Sequence, residues 1–127
     1  MNPTNLKYSK THEWAKVDGN IVTLGITDHA QESLGDVVFV ELPEEGVTVS
    51  AGEAYGTVES VKAVSDIVAA VTGKVLEFNQ TVLDAPDTLN SDPYGEGWLI
   101  KVEVDDLKAL DDLLSAAEYE ALLEEGN

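Results

Sequence analysis

The chain contains no cysteine and no arginine; its seven basic residues are all lysines. Without cysteine there is no disulfide framework, no thiolate metal site and no cysteine nucleophile, so any redox sulfur must arrive on a cofactor. Long apolar runs are missing as well. The longest, Ile67 to Val71, spans five residues, too few for a membrane-crossing helix. Met1-Asn2-Pro3-Thr4-Asn5 lacks the basic start and apolar core of a signal peptide. Positive charge is scarce: 25 carboxylates outnumber the lysines and leave a formal net charge of −18. Such a surface repels phosphate backbones and anionic membranes, so neither nucleic acid nor membrane is an expected partner. It either keeps a small monomer in solution or steers it toward basic-faced partners, and composition does not separate the two.

Chemistry-bearing motifs are few. His12 and His29 have no His-x-x-x-His spacing, so local hydrogen bonding or exposure is expected rather than a metal site. No glycine-rich phosphate loop occurs. The acid pairs Asp105-Asp106 and Asp111-Asp112 flank a helical tail, where they favour helix N-termini and solubility over acid–base work. No catalytic apparatus is visible.

What is present is a chain of 127 residues, 43% hydrophobic, enough for one domain over 1–127 with a modest core. Its organising stretch is a hairpin over about 53–71. Glu53–Val58 and Val64–Val71 have strand composition, and the tip between them displays Lys62. A catalytic lysine needs desolvation or neighbouring cations. Glu59 and Asp66 supply carboxylates instead, which favour the ammonium. Lys62 therefore reads as a handle for another enzyme to acylate, or as an ordinary solvated lysine.

In chain order, Leu6–Lys10 and Glu13–Val17 alternate weakly. Asp18-Gly19 signals a hairpin into Ile21–Ile26. Asp28 and Gln31 have capping-box spacing, so a short helix is expected from Asp28 to Leu34, ended by Gly35. The apolar run Val37–Val40 reads as a buried strand. Turns at Glu44–Gly46 and Ser50–Gly52 bracket Val47–Val49, and Lys74–Phe78 gives another strand. The polar segment from Asn79 to Gly97 is expected to be a loop over the body, followed by a last strand, Trp98–Val104. Val17–Ile21 and Val71–Val75 share one apolar–polar–Gly–polar–apolar pattern, a hint of two related halves. The tail, about 105–125, reads as helical. It carries one apolar face of Leu110, Leu113, Leu114, Ala117 and Ala121, packed on the body, with a break near Ser115, where Ser115 and Glu118 repeat the capping-box spacing.

Several ordered blocks add a further reading. Glu59-Ser60-Val61-Lys62-Ala63 with Ser65-Asp66-Ile67 resembles the lipoyl-lysine site of glycine cleavage system H proteins. Thr11-His12-Glu13-Trp14, Gly25–Gln31, Leu34-Gly35-Asp36, Val40–Pro43, Asn90–Tyr94 and Gly97-Trp98 resemble other blocks of that family, over nearly the whole chain. The resemblance implies a mainly β fold, a barrel-sandwich hybrid of lipoyl type with short peripheral helices and a C-terminal helix. It implies (R)-lipoate in amide linkage on Lys62, attached by a lipoylating enzyme for which Glu59 and Ala63 are recognition candidates. It implies a non-catalytic carrier that takes the aminomethyl group of glycine from glycine decarboxylase (P protein) to aminomethyltransferase (T protein). Dihydrolipoyl dehydrogenase (L protein) then reoxidises the carrier. Thr11, Glu13 and Asp66 become candidates for a cleft that shelters the loaded arm. Ala70 departs from the family pattern, which commonly has proline there and so a rigid φ.

Other readings stand beside it. A lipoyl domain of a 2-oxoacid dehydrogenase usually shows Asp-Lys-Ala at its turn, and a biotinyl carrier usually flanks its lysine with methionines. A lipoyl donor in protein lipoylation and an unmodified acidic binding module also remain. With no targeting segment visible, a bacterial cytoplasm is the expected compartment, ahead of a mitochondrial matrix.

Overall fold

The computed structural model describes residues 3–125. Among these residues, nine strands form two antiparallel sheets. The first strands are β1 (Lys7–Tyr8), β2 (Glu13–Asp18) and β3 (Ile21–Ile26), with β2 and β3 joined at Gly19-Asn20. Helix α1 (Asp28–Leu34) follows, then β4 (Val37–Glu41), β5 (Thr48–Val49), β6 (Ala54–Ser60), β7 (Val64–Val68) and β8 (Gly73–Phe78). Helices α2 (Gln80–Asp84) and α3 (Thr88–Ser91) precede β9 (Ile100–Glu103); a 3-10 helix (Leu107–Asp112) and α4 (Ala116–Glu124) close the chain. The larger sheet has the order β1-β2-β3-β9-β8-β5 and the smaller the order β4-β6-β7.

Alternation along the strands buries one face of each sheet. Val22, Leu24, Val75, Ile100 and Val102 form the core of the larger sheet, joined by Ala69–Val71. Val40, Val58 and Ile67 of the smaller sheet pack with Val82 of α2 and Leu89 of α3. Leu42 and Tyr55 bridge the two clusters. A third cluster joins Tyr8 and Trp14 to Ala116 and Tyr119 of α4, with the Tyr8 and Tyr119 rings stacked at 4.8 Å. Trp14 lies over Gly25, its strand partner, where a Cβ would overlap the indole.

Four expectations need correction. Val37–Val40 forms a strand, yet only its ends are buried: Val38 and Phe39 are 49% and 50% exposed. A bulge between Val37 and Phe39 breaks the alternation, so two consecutive side chains face outward. The segment expected as a loop, 79–97, contains α2 and α3; Asn79 caps α2 by accepting the Thr81 N–H. The last strand is shorter than Trp98–Val104. In the tail the expected break at Ser115 is present, with its side chain and Glu118 in a reciprocal capping box, but the apolar stripe does not continue through it. Just before it, Leu114 exchanges both backbone hydrogen bonds with Tyr8. That extended link resets the helical phase, so α4 buries Ala116 and Tyr119 while Ala117 and Ala121 stay exposed.

Helix α1 has the expected bounds, but its N-cap is Thr27, whose hydroxyl accepts the Ala30 N–H; Gln31 donates to the Asp28 side chain instead. The paired patterns Val17–Ile21 and Val71–Val75 serve different turns. The first is a hairpin, while the second is where the chain passes from the smaller sheet into the larger one.

Candidate functional site

The hairpin of β6 and β7 reverses over Val61–Ala63 without a glycine. Ser60 makes the turn: its hydroxyl accepts the Lys62 and Ala63 N–H groups at 3.3 and 3.1 Å, and its own N–H donates to the Ala63 carbonyl at 2.7 Å. This is a serine side chain mimicking a backbone turn. The Val61 N–H donates to the Asp36 carbonyl at 3.0 Å, which ties the tip to the start of β4. Asn90 fixes the layer beneath. Its Oδ1 accepts the Val37 N–H, and its Nδ2 donates to the Gly35 carbonyl and to Gln31 Oε1. Lys62 is exposed on this platform, with Glu59 and Ala63 exposed beside it.

Next to the platform lies a cleft of about 200 Å³. One wall is β7, an edge strand contributing Ser65, Asp66 and Ile67; the opposite wall is Thr11–Glu13, and Ala30, Ser33 and Leu34 of α1 line a third side. The candidates Thr11, Glu13 and Asp66 thus share one cleft. Lys62 is not among its lining residues; its stem lies against Gly35, where α1 ends.

Glu13 is the unusual member. At 5% exposure its carboxyl is shielded from solvent. Ser9 Oγ donates to its Oε1 at 2.6 Å and Thr11 Oγ1 donates to the same oxygen. Burial pushes its pKa up, and the Ser9 and Thr11 hydroxyls and the Val68 N–H pull it partly back. A carboxylate has about four acceptor positions, so these three donors leave room for one more. Asp66 and Thr11 are exposed.

The sequence reading missed several groups that line the cleft or support its lining. Ser9 supports both Thr11 and Glu13 from across the turn that joins β1 to β2, a contact that no alternation in the sequence announces. His12, held at φ 71°, packs its ring 4.5 Å from that of His29 at the cleft. Tyr119 Oη lies 2.7 Å from His12 Nδ1 and 2.8 Å from Thr27 Oγ1, so α4 braces this wall. Burial and then His29 lower the His12 pKa. Apolar Ile26, Val58 and Ile67 complete the lining. Carboxylates and hydroxyls suit a cationic amine, and the apolar remainder suits an aliphatic chain and excludes water. The arrangement has room and partners for both.

Comparison with known proteins follows the same lines. The family model described as glycine cleavage H-protein matches residues 6–126. A glycine cleavage system H protein of Carboxydothermus hydrogenoformans is 59% identical over 123 residues, covering 97% of this chain and 95% of that one. One from Rubrobacter xylanophilus is 57% identical with the same coverage. The crystal structure of a glycine cleavage system H protein from Mycobacterium marinum superposes with a TM-score of 0.90 at 44% identity, covering 97% of this chain and 99% of that one.

Proposed function

The chain belongs to the glycine cleavage H-protein family, and from that premise we propose that Lys62 carries lipoate and that the adjacent cleft shelters an amine-bearing cargo. The family is the lipoyl carrier of the glycine cleavage system and works with its P, T and L proteins. Held in amide linkage on Lys62, lipoate would supply a redox-active cyclic disulfide, the chemistry that carrying the aminomethyl group of glycine between the P, T and L proteins requires.

The observation that carries the reading is the position of Lys62. It is an exposed amine at a braced tip, and the strand leaving that tip forms one wall of a cleft lined with carboxylates. The residues of this chain bind and protect rather than react. Ser60 and Asp36 hold the tip in a fixed shape, which a modifying enzyme can recognise together with Glu59 and Ala63. Glu13 and Asp66 offer negative charge to an ammonium, with Thr11 orienting Glu13 through its hydroxyl. The apolar lining keeps water away from the carried group. A tether at Lys62 raises the local concentration of cargo at each partner without tight docking. The chain therefore acts as a non-catalytic subunit. With a net charge of −18 it works as a monomer, and its bacterial relatives point to the bacterial cytoplasm.

The test is intact mass and peptide mapping of natively expressed protein across Glu59 to Asp66. A lipoyl increment on Lys62, absent in Lys62→Arg, is the expected result. A biotin increment, or none after treatment with lipoylating enzyme, lipoate and ATP, would overturn the reading.

A further inference from the structure

The four most exposed large apolar side chains among the described residues are Val61, Val64, Phe39 and Val38, at 71%, 66%, 50% and 49%. All four belong to the smaller sheet or its tip. Register explains how they meet. Phe39 lies opposite Glu59, and Glu59 lies opposite Val64, so these three share one face of β4, β6 and β7. The β4 bulge turns Phe39 to that face, where regular alternation would bury it. Val61 stands at the tip next to Lys62. An apolar strip beside a modifiable lysine, maintained by a bulge, marks an interaction surface.

We propose that this strip is the docking face for the enzyme that acylates Lys62, a partner presenting an apolar surface rimmed by lysine or arginine. The proposal rests on the reading of Lys62 as the lipoyl site. Charge selects the partner's character. Glu59 sits in the middle of the strip, and Glu41 and Asp66 pair with Thr57 in an adjoining row. A second copy would set Glu59 against Glu59 on chains of net charge −18, so self-association is disfavoured. Geometry selects the acylating enzyme among basic partners. Enzymes acting on the far end of the arm can reach it without covering the tip. Only the enzyme that forms the amide must hold Nζ itself at the acyl carbon, and so must seat the residues around it. In that step a base on the enzyme removes a proton from Nζ, and the amine attacks the carbonyl of an activated lipoyl donor, an acyl adenylate or thioester. The C–N bond forms as the bond to adenylate or thiolate breaks with its electron pair, the second Nζ proton passes to the leaving group or to water, and nothing is oxidised or reduced.

The experiment measures lipoylation kinetics with purified lipoylating enzyme, lipoate and ATP. The substrates are the wild type, Phe39→Thr with Val64→Thr, and Val17→Thr, a control at an exposed apolar position of the larger sheet. Threonine retains strand propensity, and thermal melts verify folding. The double variant is expected to raise KM for the carrier about tenfold or more, with kcat within about twofold. Val17→Thr should behave as wild type, and added salt should raise the wild-type KM. An unchanged KM in a folded double variant overturns the proposal. So does normal lipoylation with impaired loading by the P protein, or a wild-type dimer in sedimentation that the double variant dissolves. If wild-type Lys62 is never modified, the lipoyl reading falls and takes the strip with it; a modified wild type beside an indifferent double variant overturns the strip alone.

Discussion

The stem of Lys62 crosses Gly35 so closely that a Cβ on Gly35 would stand 3.2 Å from Lys62 Cε. Gly35 also ends α1 at φ 83°, ψ −157°, a region essentially reserved for glycine. Its N–H still donates to the Gln31 carbonyl, so the conformation is held by the helix. Gly35→Ala should therefore cost about 1–3 kcal/mol, read as a lower urea midpoint. An unchanged midpoint would mean that the chain relaxes there without strain.

Asn90 joins three elements beneath the tip, with hydrogen bonds to Val37, Gly35 and Gln31. Asn90→Ala leaves the Val37 N–H and the Gly35 carbonyl without these partners, at a cost of about 2–3 kcal/mol. Because Asp36 lies between those groups and accepts the Val61 N–H, the loss should spread to the tip. Amide exchange at Val61 is expected to accelerate along with that at Val37. Protection retained at Val61 would show that the Ser60 turn stands alone.

The strands and the attachment hairpin were legible because alternation and turn residues are local signals. What escaped depends on contacts that a linear pattern does not contain. Val37–Val40 is uniformly apolar, so nothing in it shows that a bulge opposite Ser60 and Glu59 turns Val38 and Phe39 outward. Helices α2 and α3 have five and four residues, too short to display a helical period. The tail stripe packs on the body at Leu110, Leu113 and Leu114 but not at Ala117 and Ala121, because the bridge from Leu114 to Tyr8 interrupts the helix. In the site, Lys62, Glu13 and Asp66 stood in recognisable blocks. Ser9, His29 and Tyr119 join them only through folding, since Tyr119 is 107 residues from the His12 it bonds.

Glu13 has opposite consequences for stability and for cargo. Its carboxyl pKa is raised by burial above its ordinary value of 4.5. The folded state then holds the proton more tightly than the unfolded state. The associated stability is fully present below the unfolded value and is lost as pH rises through the folded one. Glu13→Gln should flatten this slope and make the unloaded protein more stable than wild type near neutral pH. His12 runs the other way: its pKa is lowered, so its contribution is present above 6.5 and fades as pH falls. The Glu13 effect is therefore read as the difference between wild type and variant at each pH. For the loaded arm, Glu13→Ala with Asp66→Ala should shorten the lifetime of the carried amine, measured as ammonia and formaldehyde release. An unchanged lifetime would remove both acids from the cleft's function.

Tyr55 carries the remaining unusual hydroxyl. Its ring packs against both main core clusters, while its Oη is buried with no hydrogen-bond partner among the described residues. Burial raises its pKa well above the usual tyrosine value, and the Glu13 charge adds to the shift. A buried hydroxyl without a partner costs about 1–3 kcal/mol, whereas the ring is retained in phenylalanine. Tyr55→Phe should thus stabilise the protein by about 1 kcal/mol, read from urea unfolding. A loss of stability would mean that the hydroxyl finds a partner in solution, and its closeness to Glu13 would identify that carboxylate as the first group to examine. The two outcomes also separate the roles of the pair. If the gain appears and the lifetime of the loaded arm is unchanged, Glu13 serves the cleft through Ser9, Thr11 and Val68 alone.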